Sequence, residues 1–230
     1  MTKNTVVHGR FIDSLSAHFR RERSKLLKTL ILRLKDKTSL PLKIIDFGGT
    51  YNYWENIGFD FLVQNDIGVT CVNISNPEII SSTDTGAKLK FIEGSVCDLS
   101  GFADNSFDLV HSNSVIEHVG RWSEMCAFAR EARRLAPAYY VQTPYFWFPI
   151  DPHYPTMPFF HWMPITLRAK LMQTFRIGRW PANRNLHKVM AILEDSILLD
   201  GAQFRTLFPD ATITAERLAA LPKSLIAIRQ

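Results

Sequence analysis

Glu117 and His118 stand side by side in Ser114-Val115-Ile116-Glu117-His118, and His153 follows in Pro149-Ile150-Asp151-Pro152-His153. An imidazole can take a hydroxyl proton near neutral pH, and a nearby carboxylate can fix its orientation. These three residues are therefore the candidates for general-base work. Each also has a structural reading: the Glu-His pair can cap the following helix, and His153 can tie a proline-rich loop by one hydrogen bond. The residues alone leave both readings open. His161, inside the aromatic run Phe159-Phe160-His161-Trp162, reads as structural.

A second constellation lies earlier, in Ile44-Ile45-Asp46-Phe47-Gly48-Gly49-Thr50. Glycines directly after an apolar strand let the backbone turn sharply and a ligand come close. An acid at the strand's end can anchor the loop amides or, through water, a ligand ammonium group. The loop goes on as Thr50-Tyr51-Asn52-Tyr53-Trp54, with neither the G-x-G-x-x-G fingerprint of dinucleotide sites nor a Gly-Lys-Ser/Thr phosphate loop. Bulky side chains there would crowd a pyrophosphate, which disfavours nicotinamide and nucleoside-triphosphate chemistry.

Elements must hold these residues at a common edge. Apolar runs predict strands at Leu42 to Phe47, Val69 to Ile74, Leu89 to Ile92, Phe107 to His111 and Ala138 to Gln142. A helix over Ser123 to Leu135 lies between the fourth and fifth. Strands alternating with helices or long connections imply a parallel sheet with right-handed crossovers. Pro144 to Pro164 then holds six prolines and eight aromatics in 21 residues. Helices are predicted over about Ile165 to Phe175, Leu186 to Leu199 and Ala202 to Phe208. Two closing strands, Thr212 to Arg217 and Ser224 to Arg229, are too close for a crossover and should pair antiparallel.

The composition is that of an ordinary folded domain: 230 residues, 46% hydrophobic and 21% charged. The longest uncharged stretches are broken by prolines and fall short of the roughly 20 apolar residues of a spanning helix. Met1 to Arg10 has polar residues where a secretory signal would be apolar. Cys71, Cys97 and Cys126 suit neither a disulfide framework nor a zinc site, so no metal ligand set is assigned and a reducing, cytoplasmic setting is expected. Charge is uneven: residues 1–43 carry net +8, residues 44–151 net −8 and residues 152–230 net +5. From Asp13 to Lys35 an apolar stripe (Leu15, Phe19, Leu26, Leu27, Leu30, Leu34) runs amid Arg and Lys, a basic helical extension over residues 1–41. Such a surface fits either an anionic partner or a solvated helix packed on an acidic domain.

The set Ile44 to Thr50, Phe91-Ile92-Glu93-Gly94-Ser95-Val96-Cys97-Asp98-Leu99, Asp104-Asn105-Ser106-Phe107-Asp108-Leu109-Val110 and Ser112-Asn113-Ser114-Val115-Ile116-Glu117-His118-Val119 resembles class I S-adenosylmethionine-dependent methyltransferases, in particular the small-molecule, type 11-like group. The resemblance covers about residues 42–145 and, through the closing strand pair, the sheet to residue 229. It implies a Rossmann-like three-layer α/β sandwich whose seven-stranded, mostly parallel sheet has the order 3-2-1-4-5-7-6 and an antiparallel last strand. The methyltransferase domain would span residues 42–230, with an acceptor cap at about 144–200. S-adenosyl-L-methionine is the implied cofactor. Asp46, Gly48, Gly49 and Thr50 would lie beside its methionine and ribose, Asn73 at the ribose hydroxyls, Ser95, Val96 and Asp98 at the adenine, and Ser112 and Asn113 at the methionine. Thr50, Asn52, Asn73 and Ser95 stand where the family usually has glycines or acids. Some relatives hold a divalent metal with a Glu-His pair, a distant His and a further Glu three positions earlier, where this chain has Ser114.

The reading is thus methyl transfer to a small-molecule or carrier-linked acceptor, with a hydroxyl as the expected accepting group and His153, His118 and Glu117 as its catalytic residues. Peripheral membrane contact is a secondary expectation, and nucleic acid is disfavoured. The alternative is a non-catalytic methyltransferase-like module holding RNA or an anionic membrane by its basic helix. Gly48→Val is expected to abolish cofactor binding with the fold largely intact, and removal of residues 11–37 to leave cofactor affinity within about threefold.

Overall fold

The computed structural model describes residues 3–74 and 86–230, with the side chains of the first helix described from Ala17 onward. Leu15 of the predicted stripe lies outside those described side chains.

The apolar run after Pro41 forms strand β1 (Leu42–Phe47), buried at every position except Lys43. Burial on both faces is what a central parallel strand requires. Around it lie β2 (Ile67–Asn73), β3 (Lys88–Glu93), β4 (Leu109–Asn113), β5 (Ala138–Pro144), β6 (Thr212–Leu218) and β7 (Leu221–Arg229). They form one sheet of order β3-β2-β1-β4-β5-β7-β6. The first five strands pair parallel. β7 pairs antiparallel with both β5 and β6, as the short connection between the last two strands required.

Alternation along β1 sorts the two sides of the sheet. Ile45 and Phe47 point toward α4 (Trp122–Leu135) and α7 (Gly201–Leu207), joining Phe128, Ala132 and Phe204 in one core. Ile44 points the other way, into a core with Trp54 and Ile57 of α2 (Tyr51–Ile57) and Leu62 of α3 (Phe59–Gln64). Leu27, Leu30 and Ile31 of α1 (Lys3–Lys35) complete that second core. The basic helix is thus a structural layer of the sandwich rather than an appendage. Removing residues 11–37 would expose this core, so that deletion should destabilise the domain.

Most boundaries shift by one to three residues from the sequence reading, and two of the shifts bear on the site. The fourth strand begins at Leu109, not Phe107. Asp108 clamps its entry, with its amide donating to Lys43 O at 2.8 Å and its carboxylate accepting from Lys43 N at 2.7 Å. The helix expected over Leu186 to Leu199 is α6 (Leu186–Glu194) and stops five residues early. There the chain turns so that Ile197 N donates to Glu117 O at 2.8 Å, and Leu199 bridges to Tyr145.

Between β5 and α7 the proline-rich segment forms a cap with its own core. Tyr154 and Phe160 pack on Ala169 and Met172 of α5 (Ile165–Thr174) and on Val189 and Leu193 of α6. The aromatics therefore serve the cap's own packing first. Trp147, Phe159 and Trp162 stay largely exposed.

Gly48 follows β1 with φ +77°, a conformation that strains any residue bearing a Cβ, and a Cβ there would run into Val115 Cγ2. The expectation that Gly48→Val spares the fold is therefore corrected: the clash is with the protein itself. Gly48→Val should destabilise the chain by on the order of 1–3 kcal/mol, read as a lower urea midpoint. An unchanged midpoint would show that Val115 yields freely.

Candidate functional site

Four side chains behind the first loop form a buried chain of hydrogen bonds. Asp46, 1% exposed, accepts from Trp54 Nε1 through Oδ2 at 2.8 Å and meets His111 Nδ1 through Oδ1 at 2.7 Å. The other ring nitrogen of His111 lies 2.9 Å from the Tyr53 hydroxyl. Tyr140 stacks on the same imidazole, with ring planes 15° apart. Burial and the Asp46 charge push the Tyr53 phenol well above its ordinary range.

This arrangement corrects two sequence assignments. Asp46 faces inward and is committed to Trp54 and His111, so it does not reach a ligand. Ser112 is fully buried and its hydroxyl donates to Phe47 O at 3.1 Å, so its side chain does not face a methionine moiety. His111, Tyr53 and Trp54 were missed by sequence reasoning. The available signal was a histidine inside a strand that pairs residue for residue with Asp46.

The second constellation gathers at the carboxyl edge of the sheet beneath the cap. A 3-10 turn over Ile116–His118 follows β4 and carries Glu117 and His118. Glu117 is buried; its Oε2 accepts from Thr143 Oγ1 at 3.0 Å, and its Oε1 has no hydrogen-bond partner among the described residues. Burial raises the Glu117 carboxyl above the usual carboxylate range, against the lowering pull of His118, Thr143 and His153. His153 and His118 meet Nε2 to Nε2 at 3.1 Å. His153 Nδ1 lies 2.7 Å from Asp151 Oδ1, and His118 Nδ1 lies 2.9 Å from Asp195 O. Burial works against a charge on His153, but the hydrogen bond and charge of Asp151, with Glu117 behind, prevail and raise it above the ordinary imidazole range.

The Nε2-to-Nε2 contact needs one hydrogen between the rings, so one imidazole donates there and the other accepts. The donor atoms of Glu117, His118 and His153 also lie within 4.8 Å of one another, a spacing at which a divalent cation can be gathered. Sequence reasoning named all three residues but assigned no metal ligand, because it looked for cysteines and a second glutamate. Ser114 fills that glutamate's position, and its hydroxyl donates to Gln142 Oε1 at 2.9 Å.

A cavity of about 310 Å³ opens beside this edge, lined by Asn113 and Ser114 after β4, Gln142 of β5, cap residues including Phe148, and Arg20 and Arg23 of α1. Arg23 Nη1 donates to Asn113 Oδ1 at 3.0 Å, so α1 runs across the site the sequence reading kept apart from it. His118 and His153 do not line this cavity, although Pro152 and Pro155 on either side of His153 do.

Residues 57–137 match the family model described as a methyltransferase domain. That segment, about a third of the chain, is similar to a methyltransferase domain, and the whole sheet has the fold of methyltransferases. Among solved structures, its fold is similar to that of the CurJ carbon methyltransferase, with a TM-score of 0.55 at 12% identity over 90% of this chain and 53% of that one. It is likewise similar to the Burkholderia thailandensis 1,6-didemethyltoxoflavin N1-methyltransferase, solved with S-adenosylhomocysteine, with a TM-score of 0.55 at 12% identity over 98% of this chain and 87% of that one. A Pyrococcus horikoshii protein aligns with a TM-score of 0.55 at 17% identity over 91% and 90% of the two chains. The chain thus spans about half the length of the CurJ structure. No curated protein matches its sequence.

S-adenosylmethionine is the cofactor of this methyltransferase family, and the residues present fit it in part. Asn73, at the end of β2, has its amide nitrogen bound to Gly49 O at 2.7 Å, and its oxygen is the atom able to accept from a ribose hydroxyl. Ser95 and Asp98 are exposed beside the half-buried Gly94, on the same edge. Their own short-range bonds, to Cys97 N and Ser100 N, shape that turn. Val96 is buried and packs with Val72 and Leu99. Thr50 caps α2 by accepting from Tyr53 N at 3.2 Å. The loop of this methyltransferase is therefore set by glycines, a cap and an asparagine, where the family pattern has further glycines and acids.

Because Asp46 is buried, removing its partner should be costly. His111→Ala is expected to destabilise the methyltransferase by about 3–5 kcal/mol, while Tyr53→Phe should cost about 1 kcal/mol. Chemical denaturation of the two variants tests the order. Equal effects would remove the Asp46–His111 pair from its central place.

Proposed function

We propose that this methyltransferase transfers a methyl group from S-adenosylmethionine to a hydroxyl of a small or carrier-linked acceptor, with the His118–His153 pair receiving the hydroxyl proton. The observation that carries the reading is the continuous chain Asp151, His153, His118 at the carboxyl edge of the sheet, where open α/β folds bind ligands. Bound S-adenosylmethionine supplies a sulfonium-activated methyl group. Asn73, Ser95 and Asp98 would hold its nucleoside end, and Asn113 the end nearer the acceptor.

The protein's part is alignment and proton removal. Bringing acceptor and methyl into line contributes the larger share, as in any displacement between two bound partners. A neutral His153 accepts the proton of the acceptor hydroxyl, and Asp151 stabilises the cation that results. Glu117 backs the pair from the buried side.

A second reading has its own observation. Glu117 Oε1, unpartnered among the described residues, lies beside two facing imidazoles and suits a divalent cation, and such an ion would lower the hydroxyl's pKa instead. The interaction-module reading, by contrast, needs a free basic helix, and the apolar side of α1 is engaged in the core.

His153→Ala should lower turnover by about 10²–10⁴-fold while S-adenosylhomocysteine affinity, measured by calorimetry, stays the same. Near-wild-type turnover in both His153→Ala and His118→Ala would sink the histidine-base reading. Loss of activity in EDTA, restored by a divalent ion, would select the cation reading.

The pH profile follows from the raised His153. A base must be neutral to act, so raising it moves the acid limb of kcat/KM above about 6.5, the unperturbed imidazole value. Asp151→Asn removes the raising charge and should move that limb to lower pH. A limb that does not move would place the titrating group elsewhere.

A further inference from the structure

The cavity over the ends of β4, β5 and β7 has walls of one character and a rim of another. Phe148 and Ile150 of the cap and Leu218 of β6 give an apolar lining. Arg20 and Arg23 from α1 and Lys223 from β7 bring three cations to the same space. Among the described residues one carboxylate answers them: Glu216 lies 3.4 Å from Arg23 Nε and accepts from the buried Ser224 hydroxyl. Arg23 is further bound to Asn113, so its charge is taken up. Lys223 is half-buried, with its ammonium 4.5 Å above the Phe19 ring. Arg20 is exposed at the mouth.

Desolvation, and then repulsion from Arg23 and Arg20, outweigh Glu216 and pull the Lys223 ammonium below its usual range. A half-buried ammonium with two guanidinium neighbours is expensive unless an anion joins it. The cavity thus carries uncompensated positive charge at one end and apolar surface along its length.

We propose that this cavity takes an amphipathic small-molecule anion, its apolar body against the cap and its carboxylate or phosphate against Lys223 and Arg20. Calling that anion the methyl acceptor rests on the methyl-transfer reading, while the binding claim can be tested without any turnover. The anion sets orientation: fixed at the β7 side, it leaves the apolar body pointing toward Asn113 and Ser114 after β4.

The test uses the full chain and three pairs of probes in calorimetry: 2-naphthoate against 2-naphthamide, decanoate against decanamide, and decyl phosphate against decanol. At least one acid should bind at least about tenfold more tightly than its neutral partner, with a preference that weakens as salt is raised. Lys223→Met and Arg20→Gln should each remove most of that preference, and Lys223→Arg should retain it. S-adenosylhomocysteine affinity should be the same in all three variants. Equal affinity for every acid and its neutral partner overturns the proposal, as does failure of all three acids to bind at millimolar concentration. Co-sedimentation with phosphatidylglycerol vesicles without binding of the soluble acids overturns it too, and assigns the cations to a lipid surface. Failure of S-adenosylhomocysteine to bind the wild-type chain would instead defeat the methyl-transfer reading, leaving the anion result to stand by itself.

Discussion

The carboxylate of Asp46 is almost wholly withdrawn from water in the middle of the sheet, and much of the site's geometry is a consequence of satisfying it. A lone buried carboxylate would be unaffordable, so it takes the indole N–H of Trp54 from α2 and an imidazole nitrogen of His111 from β4. Those two bonds tie the helix after β1 to the strand beside β1. They close the loop over Gly48 and Gly49 from behind, and a Cβ on Gly49 would run into that same carboxylate. Tyr53 extends the chain from His111 to a second cavity under α1, shared with Asn113. The switch between β1 and β4, where this fold opens toward ligands, is thereby held by polar bonds as well as by apolar packing.

The strands, the parallel sheet and the antiparallel closing pair were legible from apolar runs, glycine punctuation and spacing, whereas the strand order came with the family resemblance. The grouping of Glu117, His118 and His153 was legible too, since all three follow strands at one edge. What the sequence could not show was direction. Asp46 and Ser112 sit at family positions that suggest a ligand, yet the pleat turns both side chains into the protein. A period of two decides inside from outside, and β1 is buried on both faces, so no polar alternation marks which way Asp46 points. The long reach of Arg23 to Asn113 was illegible for another reason: it joins residues 90 apart and depends on how α1 crosses the sheet.

The basic charge of the N-terminal segment also has a different meaning once α1 is packed. Its apolar stripe covers the sheet, and Lys28 sits 5.0 Å above the Phe61 ring of α3, so part of the charge lies on its own domain. Arg20, Arg21 and Arg23 line the cavities at the carboxyl edge, so the charge that reads as a partner surface in one dimension faces the site in three.

The antiparallel last strand completes this logic. In a purely parallel sheet every strand would bring its C-terminal end to the ligand edge. Because β7 runs backward, it brings its beginning instead, with Ser224 opposite Pro144 at the end of β5. The neighbouring β6 runs the other way and reaches the same edge with its end, pairing Glu216 with Ser224 across the hairpin. One reversal therefore assembles Glu216, Leu218, Lys223 and Ser224 beside the cap, from residues too close in sequence to reach one site through a helical crossover. Asn73 and Asn113 stand on the β2 to β4 half of the same edge, and the reversed hairpin supplies the other half with charge of its own.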